Sequence, residues 1–269
     1  MIKALVVGLG MGQQYTAWFK SLGYTVSTVD SDPEKFANYL LLSDALTDCN
    51  FDIAYIGTPN YTHELLARQV AVRTKILLIE KPGVESQAAW IRFVNDFPET
   101  RIMMIKNNQY RLEHSGWRAL ADNSKKVTVC WSRQNGVPKP NWFKDKQLSF
   151  GGVKSDLMPH MLSYYTLLTD YKYGQKIYQD SDDMVNIGID SRAFLEFKNK
   201  DTTWNLIVDW KNNCKDENYI EFETKLGVFK FDLGELCPAD PYIRMIKTAM
   251  NNIDNKEFWL DQYDQDVWI

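Results

Sequence analysis

Cysteine is scarce in this chain. Its 269 residues include four, Cys49, Cys130, Cys214 and Cys237, and no two form a CxxC pair. That scatter argues against a zinc site and against a disulfide-stapled scaffold. Histidine is scarcer still, at three residues, and no structural metal is expected. Long apolar runs are missing, so no segment reads as a membrane span. A basic excess is missing too: the net charge is −4 and the pI about 5.5, the wrong balance for nucleic-acid binding. The opening MIKALVVGLG runs straight into glycines without a small-residue cleavage site. It reads as a first strand, not a signal peptide, and a cytoplasmic protein is expected.

What is present is the ordinary make-up of a globular protein, with 45% apolar and 25% charged residues. The length suits two cores. Up to about residue 106, short apolar runs alternate with helical patterns. The runs are KALVVG, YTVSTVD, FDIAYIGT, KILLIEKP and RIMMIKNNQYR. The helical stretches lie near residues 13–22, from Asp32 (DPEKFANYLLL), in NYTHELLARQVAV and in SQAAWIRFVNDF. This rhythm predicts a doubly wound parallel sheet, a Rossmann domain over residues 1–106. From 107 to 269 the period changes to two. Trp204, Leu206, Val208 and Trp210 share one face of a strand, as do Phe229, Phe231 and Leu233. An α+β domain on an open, mainly antiparallel sheet is predicted, with one helix near 158–168. Seven of the nine tryptophans lie beyond residue 110. They are read as sheet packing together with an interface, giving an expected homodimer or homotetramer through this sheet.

The turn VVGLGMGQQY carries Gly8, Leu9, Gly10, Met11 and Gly12 between a strand and a helix. In a β-α-β unit, Gly8 permits the tight turn and Gly10 lets backbone approach a pyrophosphate, which the helix N-terminus then binds. Asp30 closes the second strand, where a carboxylate bonds adenine-ribose hydroxyls and repels a 2′-phosphate. NAD is therefore expected over NADP. The third glycine of GxGxxG would fall at Gln13, so the loop reads GxGxG. Adenosylmethionine-dependent methyltransferases also use that pattern, although Val6 stands where they usually carry an acid.

Three further stretches carry chemistry. GTPNYTHELLA sits at a strand's carboxyl end, where open α/β sheets bind ligands; it also reads as a turn with Asn60 or Thr62 capping a helix. In IEKPG, Lys81 ends an apolar strand, placed either to bond a substrate hydroxyl or to sit in a surface ion pair with Glu80. In GGVKSDLMPH, Asp156 and His160 are four residues apart. They form an acid–base pair on one helical face, or a capping Asp with a buried His, and Pro159 fits the helix's first turn.

In this order, GLGMG, TPNYTH, EKP, NQYR and GGVKSDLMPH resemble the Gfo/Idh/MocA oxidoreductases, over nearly the whole chain. The resemblance implies nicotinamide-dependent hydride transfer at a carbinol or keto carbon of a sugar, nucleotide sugar or cyclitol. It implies Lys81, Asp156 and His160 as the catalytic set, and a cis bond before Pro82. Thr58, Pro59, Asn60 and His63, with Glu80, Lys81 and Pro82, would line the cofactor. Gln109, Tyr110, Arg111, Trp142 and Lys154, with Asp156 and His160, would face the substrate. The alternatives are a nicotinamide-binding protein without redox activity, a reductase of an imine or tetrapyrrole, and the methyltransferase.

Overall fold

The computed structural model describes residues 1–47, 49–134, 136–183, 189–211, 215–234 and 239–269. Cys214 and Cys237 lie outside these residues, while Cys49 and Cys130 are free thiols. The chain forms two compact units. One is Met1–Ile105 with Tyr242–Val267, the other Lys106–Pro241 with Trp268–Ile269.

The first unit holds a five-stranded parallel sheet. Its elements are β1 (Lys3–Val7), α1 (Gly12–Ser21), β2 (Thr25–Val29), α2 (Leu42–Thr47), β3 (Phe51–Ile56), α3 (His63–Ala71), β4 (Thr74–Ile79), α4 (Gln87–Asp96) and β5 (Arg101–Met104). The strand order is β2-β1-β3-β4-β5. The order reverses between β1 and β3, and open α/β sheets bind ligands at the carboxyl ends of such a pair. The strands read as unbroken apolar runs because both faces are covered: Ile53 to Ile56 and Ile76 to Ile79 are fully buried. Ser86 caps α4 by accepting from Ala89 N at 3.3 Å.

One expected helix is corrected here. From Asp32 the chain makes a single 3-10 turn, Pro33–Lys35. Asp32 does cap it, accepting from Glu34 N at 3.0 Å. Phe36 then turns left-handed (φ 52°), and Tyr39 returns to bridge Val29 in parallel. The Asn38 side chain bonds the Thr28 amide at 3.0 Å, a local competitor to helix.

The C-terminal helices Ala239–Asn251 and Lys256–Trp268 contribute Tyr242–Val267 to this first unit. Asp266 accepts from Met104 N at 3.0 Å, Arg101 Nε donates to Ile253 O at 3.1 Å, and Tyr242 stacks on Trp18 at 4.5 Å. The sequence division at 106/107 left this segment with the second domain. It joins the first through these contacts across about 150 residues of chain.

The second unit is a six-stranded sheet under a helix. In chain order it contains α5 (Trp117–Asp122), β6 (Ser124–Ser132), α6 (Lys146–Ser149), α7 (Val153–Leu168), β7 (Gln175–Asp183), β8 (Asp190–Asn199), β9 (Thr202–Asp209), β10 (Glu217–Thr224) and β11 (Gly227–Asp232). The order is β11-β10-β6-β9-β8-β7, antiparallel except for the parallel pair β6–β9. Residues alternate along β9, so that Trp204, Leu206, Val208 and Trp210 are all buried beneath α7. Along the edge strand β11 the expected face is covered in part: Phe231 packs against the core and Leu233, just past the strand, is buried, while Phe229 is 37% exposed. The packing expected of the tryptophans is present: Trp117, Trp204 and Trp210 are buried in the second unit's core.

Candidate functional site

In the first unit the candidate residues stand on short turns beyond strand ends. Gly8 follows β1 with φ +88°, and a Cβ there would lie 2.7 Å from the Gly57 carbonyl oxygen, beyond β3. The close approach of the two switch-point strands thus requires glycine. A Cβ on Gly12 would lie 2.8 Å from Val6 Cγ1. Gly12 therefore does the helix–strand packing of a third fingerprint glycine, one position early. Gly10, between them, faces open space.

Helix α1 has no side-chain cap and no acid in its first turn. Its leading N–H groups and dipole are positioned for an anion. Asp30, at the end of β2, accepts from Leu9 N at 2.6 Å and from Asp32 N at 2.9 Å. The carboxylate thereby ties β2 to the glycine turn, with lone pairs left for further donors. An open glycine, an uncapped helix and an acid at this spacing fit a dinucleotide.

Past β3, the Thr62 hydroxyl lies 2.6 Å from Thr58 Oγ1 and 2.7 Å from the Pro59 carbonyl, and Asn60 is buried. His63 is fully buried, with Nε2 2.7 Å from Thr58 O and Nδ1 3.0 Å from Gly83 O. Burial, with a smaller push from the Lys81 charge, lowers its pKa to about 4 against the pull of those carbonyls. His63 is a neutral clamp between the β3 and β4 turns. Past β4, Tyr55 donates to Glu80 Oε1 at 3.1 Å and stacks on Tyr15 at 3.7 Å. Burial, ahead of the Glu80 charge, pushes both phenols well up, so both stay protonated. The Lys81–Pro82 peptide is cis, and Lys81 is half-buried.

In the second unit the candidates gather on α7. Asp156 is 7% exposed and His160 half-buried, one turn apart. The Trp131 ring lies 5.2 Å from the His160 ring, and Arg133 sits over Trp131 at 5.1 Å. The helix begins at Val153, five residues before its expected start, so Pro159 lies in its second turn and not its first. The cause is a distant cap. Asp190, at the start of β8, accepts from Gly152 N at 3.1 Å and from Lys154 N at 2.6 Å.

The 3-10 turn Asn107–Tyr110 braces the same helix. Asn108 Nδ2 donates to His160 O at 3.5 Å, and Gln109 Nε2 to Ser163 O and Thr166 Oγ1 at 3.1 and 2.9 Å. Gln109 thus spends its amide on α7. Arg111 Nε donates to Asn108 Oδ1 at 3.3 Å, and its Nη1 is buried without a hydrogen-bond partner among the described residues. Tyr110 is half-buried. Trp142 stacks on Phe143 at 3.8 Å. Asp190 and Trp131 were missed in the sequence, and Asn108 was quoted only as the first residue of NQYR, without a role. Trp131 left a trace there, as an apolar residue in phase with Val127 and Val129.

Among the described residues no helix is long and apolar enough to cross a membrane. The chain is 28% identical over 207 residues to a putative UDP-kanosamine synthase oxidoreductase subunit of Amycolatopsis mediterranei, strain S699. The match takes in 70% of this chain but 57% of that protein, less than two thirds of its length. Its fold resembles that of GenD2 from gentamicin A biosynthesis, solved with NAD (TM-score 0.80, 17% identity, 98% of this chain and 92% of that one). It also resembles the WlbA dehydrogenase of Bordetella pertussis, solved with NADH and UDP-GlcNAcA (TM-score 0.78, 16% identity, 99% and 93%). Residues 2–105 match the model of the oxidoreductase family with an NAD-binding Rossmann fold, GFO_IDH_MocA. That match takes away the ground for the adenosylmethionine reading of the glycine turn. Over these residues the chain is similar to the Gfo/Idh/MocA oxidoreductases, an NAD-binding family.

Proposed function

We propose that this protein is an NAD-dependent dehydrogenase or reductase acting at a carbinol or keto carbon of a sugar or nucleotide sugar. The observation that carries the proposal is the turn beyond β1. Open Gly10, uncapped α1 and Asp30 lie together in a segment that matches an NAD-binding oxidoreductase family. Gly8 to Gly12 and the α1 N-terminus would hold the pyrophosphate. Asp30 would accept from the adenine-ribose hydroxyls, and it disfavours a 2′-phosphate by like charge. A nicotinamide bound there supplies a hydride donor or acceptor.

The remaining steps belong to side chains. Lys81 donates a hydrogen bond to the reacting oxygen and stabilises the negative charge that grows there. His160 takes the hydroxyl proton on oxidation and returns it on reduction. Asp156, one helical turn before His160, accepts from it or from a neighbouring substrate hydroxyl. Thr58, Pro59 and Asn60 shape the wall beside the cofactor. His63 acts through them, by holding the Thr58 and Gly83 carbonyls. Arg111, Trp142 and Lys154 face the substrate. A sugar needs several polar partners, and the second unit supplies them. The solved relatives carry NAD in one case and NADH with a nucleotide sugar in the other, which supports the same class.

The test is turnover of NAD+ with a panel of sugars and nucleotide sugars, in the wild type and Lys81→Ala. The reading expects activity that Lys81→Ala abolishes while NADH still binds. NADH binding with no turnover on any member would favour a redox-silent nicotinamide-binding protein. A sugar-like substrate turned over equally by both proteins would remove Lys81 from the catalytic set.

A further inference from the structure

Helix α7 is a 16-residue helix whose start lacks an adjacent capping side chain, because Gly152 stands at the N-cap. The first N–H groups of any helix have no partner inside it. Here the Asp190 carboxylate, from 36 and 38 residues further along the chain, meets two of them at Lys154 and Gly152. Its charge also suits the positive end of the helix.

Pro159 adds a second feature. It has no N–H, so the bond that residue 159 would make to the Ser155 carbonyl is missing. The first turn is joined to the rest of the helix by one bond fewer. Asp156 lies before this break and His160 after it. The later part is held by the Asn108 and Gln109 amides and packs against Trp131. The backbone of the first turn is held from β8, by Asp190. Two neighbouring candidate residues on one helix are thus registered by two different parts of the unit.

We infer that Asp190 is a positioning residue, which sets the place of Asp156 relative to His160 by tethering the first turn of α7 to β8. The inference rests on the reading of Asp156 and His160 as a catalytic pair. Its test does not need a substrate. The chain has three histidines, so imidazole signals of the full protein labelled at histidine are few, and His160→Asn assigns the third. The Trp131 ring beside His160 makes that signal sensitive to small displacements.

Spectra of wild type, Asp156→Asn, Asp190→Ala and Asp190→Asn are compared. Asp190→Ala is expected to move the His160 signal in the direction in which Asp156→Asn moves it, and to leave His63 in place. Asp190→Asn should move the signal less than Asp190→Ala does, because its amide oxygen can accept from one of the two N–H groups while its Nδ2 cannot accept from the other. A His160 signal unmoved in Asp190→Ala overturns the inference. So does an equal displacement of His63, which marks general loss of packing. Should Asp190→Ala not fold, Asp190→Ser carries the same expectation, since its shorter side chain does not span both N–H groups.

With an active substrate, Asp190→Ala should lower kcat by ~10- to 100-fold, the cost of a misplaced group, at unchanged NADH affinity. Absence of turnover in the wild type would count against the proposed function and would leave the spectra to decide the role of Asp190.

Discussion

The two units hold their candidate residues in different ways. In the first, Gly8, Thr58 and Lys81 stand within two residues of the ends of β1, β3 and β4. The parallel sheet fixes them, and the cross-links are short: Asp30 to Leu9, Tyr55 to Glu80, His63 to Thr58 and Gly83. In the second, Lys154, Asp156 and His160 ride on one helix, which is fixed by side chains from β6, β8 and the Asn107–Tyr110 turn. A site on strand ends is written in consecutive residues. A site on a helix braced from several directions is written in residues far apart.

The largest effects are expected from removing one group from each unit. Lys81→Ala and His160→Asn should each lower kcat by ~10²- to 10⁴-fold, the usual worth of a positioned proton-transfer or hydrogen-bonding group. Both should bind NADH as the wild type does, measured by energy transfer from tryptophan to nicotinamide. Retained turnover in His160→Asn would leave the helix site without a catalytic part.

The next effect belongs to the strand ends. Gly8→Ala combines a left-handed φ with a Cβ contact of 2.7 Å to backbone. It should destabilise the protein by about 2 kcal/mol or more and weaken NADH binding at least as much as it shifts the urea midpoint. An unchanged midpoint would show that β1 and β3 do not approach as closely as described.

A smaller effect is set by pH. His63 titrates near 4 when folded and near 6.5 when unfolded. Between those values the unfolded chain binds a proton that the native protein does not. Stability is therefore full above about pH 6.5 and falls as the pH drops towards 4, by roughly 3 kcal/mol at the low end. Urea midpoints across that window should show the slope in wild type and lose it in His63→Gln. The same slope in both proteins would assign it to another group.

The sequence made the first unit legible because its signals are local. Strand, glycine turn, helix and acid follow one another within 30 residues, although the packing role of Gly12 was hidden because it stands one place before the expected third glycine. The second unit was legible in its sheet, where period two is visible in Trp204 to Trp210, and in the Asp156–His160 spacing. It was not legible where partners are distant. The start of α7 is hidden because its cap, Asp190, lies on another element. Strand β7, with the polar sequence QKIYQDSDD, shows no apolar alternation. The C-terminal segment joins the first unit through Asp266 and Tyr242, which no local pattern marks. The helix from Asp32 had its start signals, and a single left-handed residue, Phe36, ended it.

On the proposed function, the turn beyond β1 holds a nicotinamide dinucleotide and Asp30 chooses which one. The most direct test is a titration of the protein with NADH and separately with NADPH, followed by tryptophan-to-nicotinamide energy transfer, in wild type and Asp30→Ala. The account predicts that wild type binds NADH at least ~10-fold more tightly than NADPH, about 1.4 kcal/mol, and that Asp30→Ala narrows the gap. Equal binding of both by wild type, or binding of neither, would contradict it.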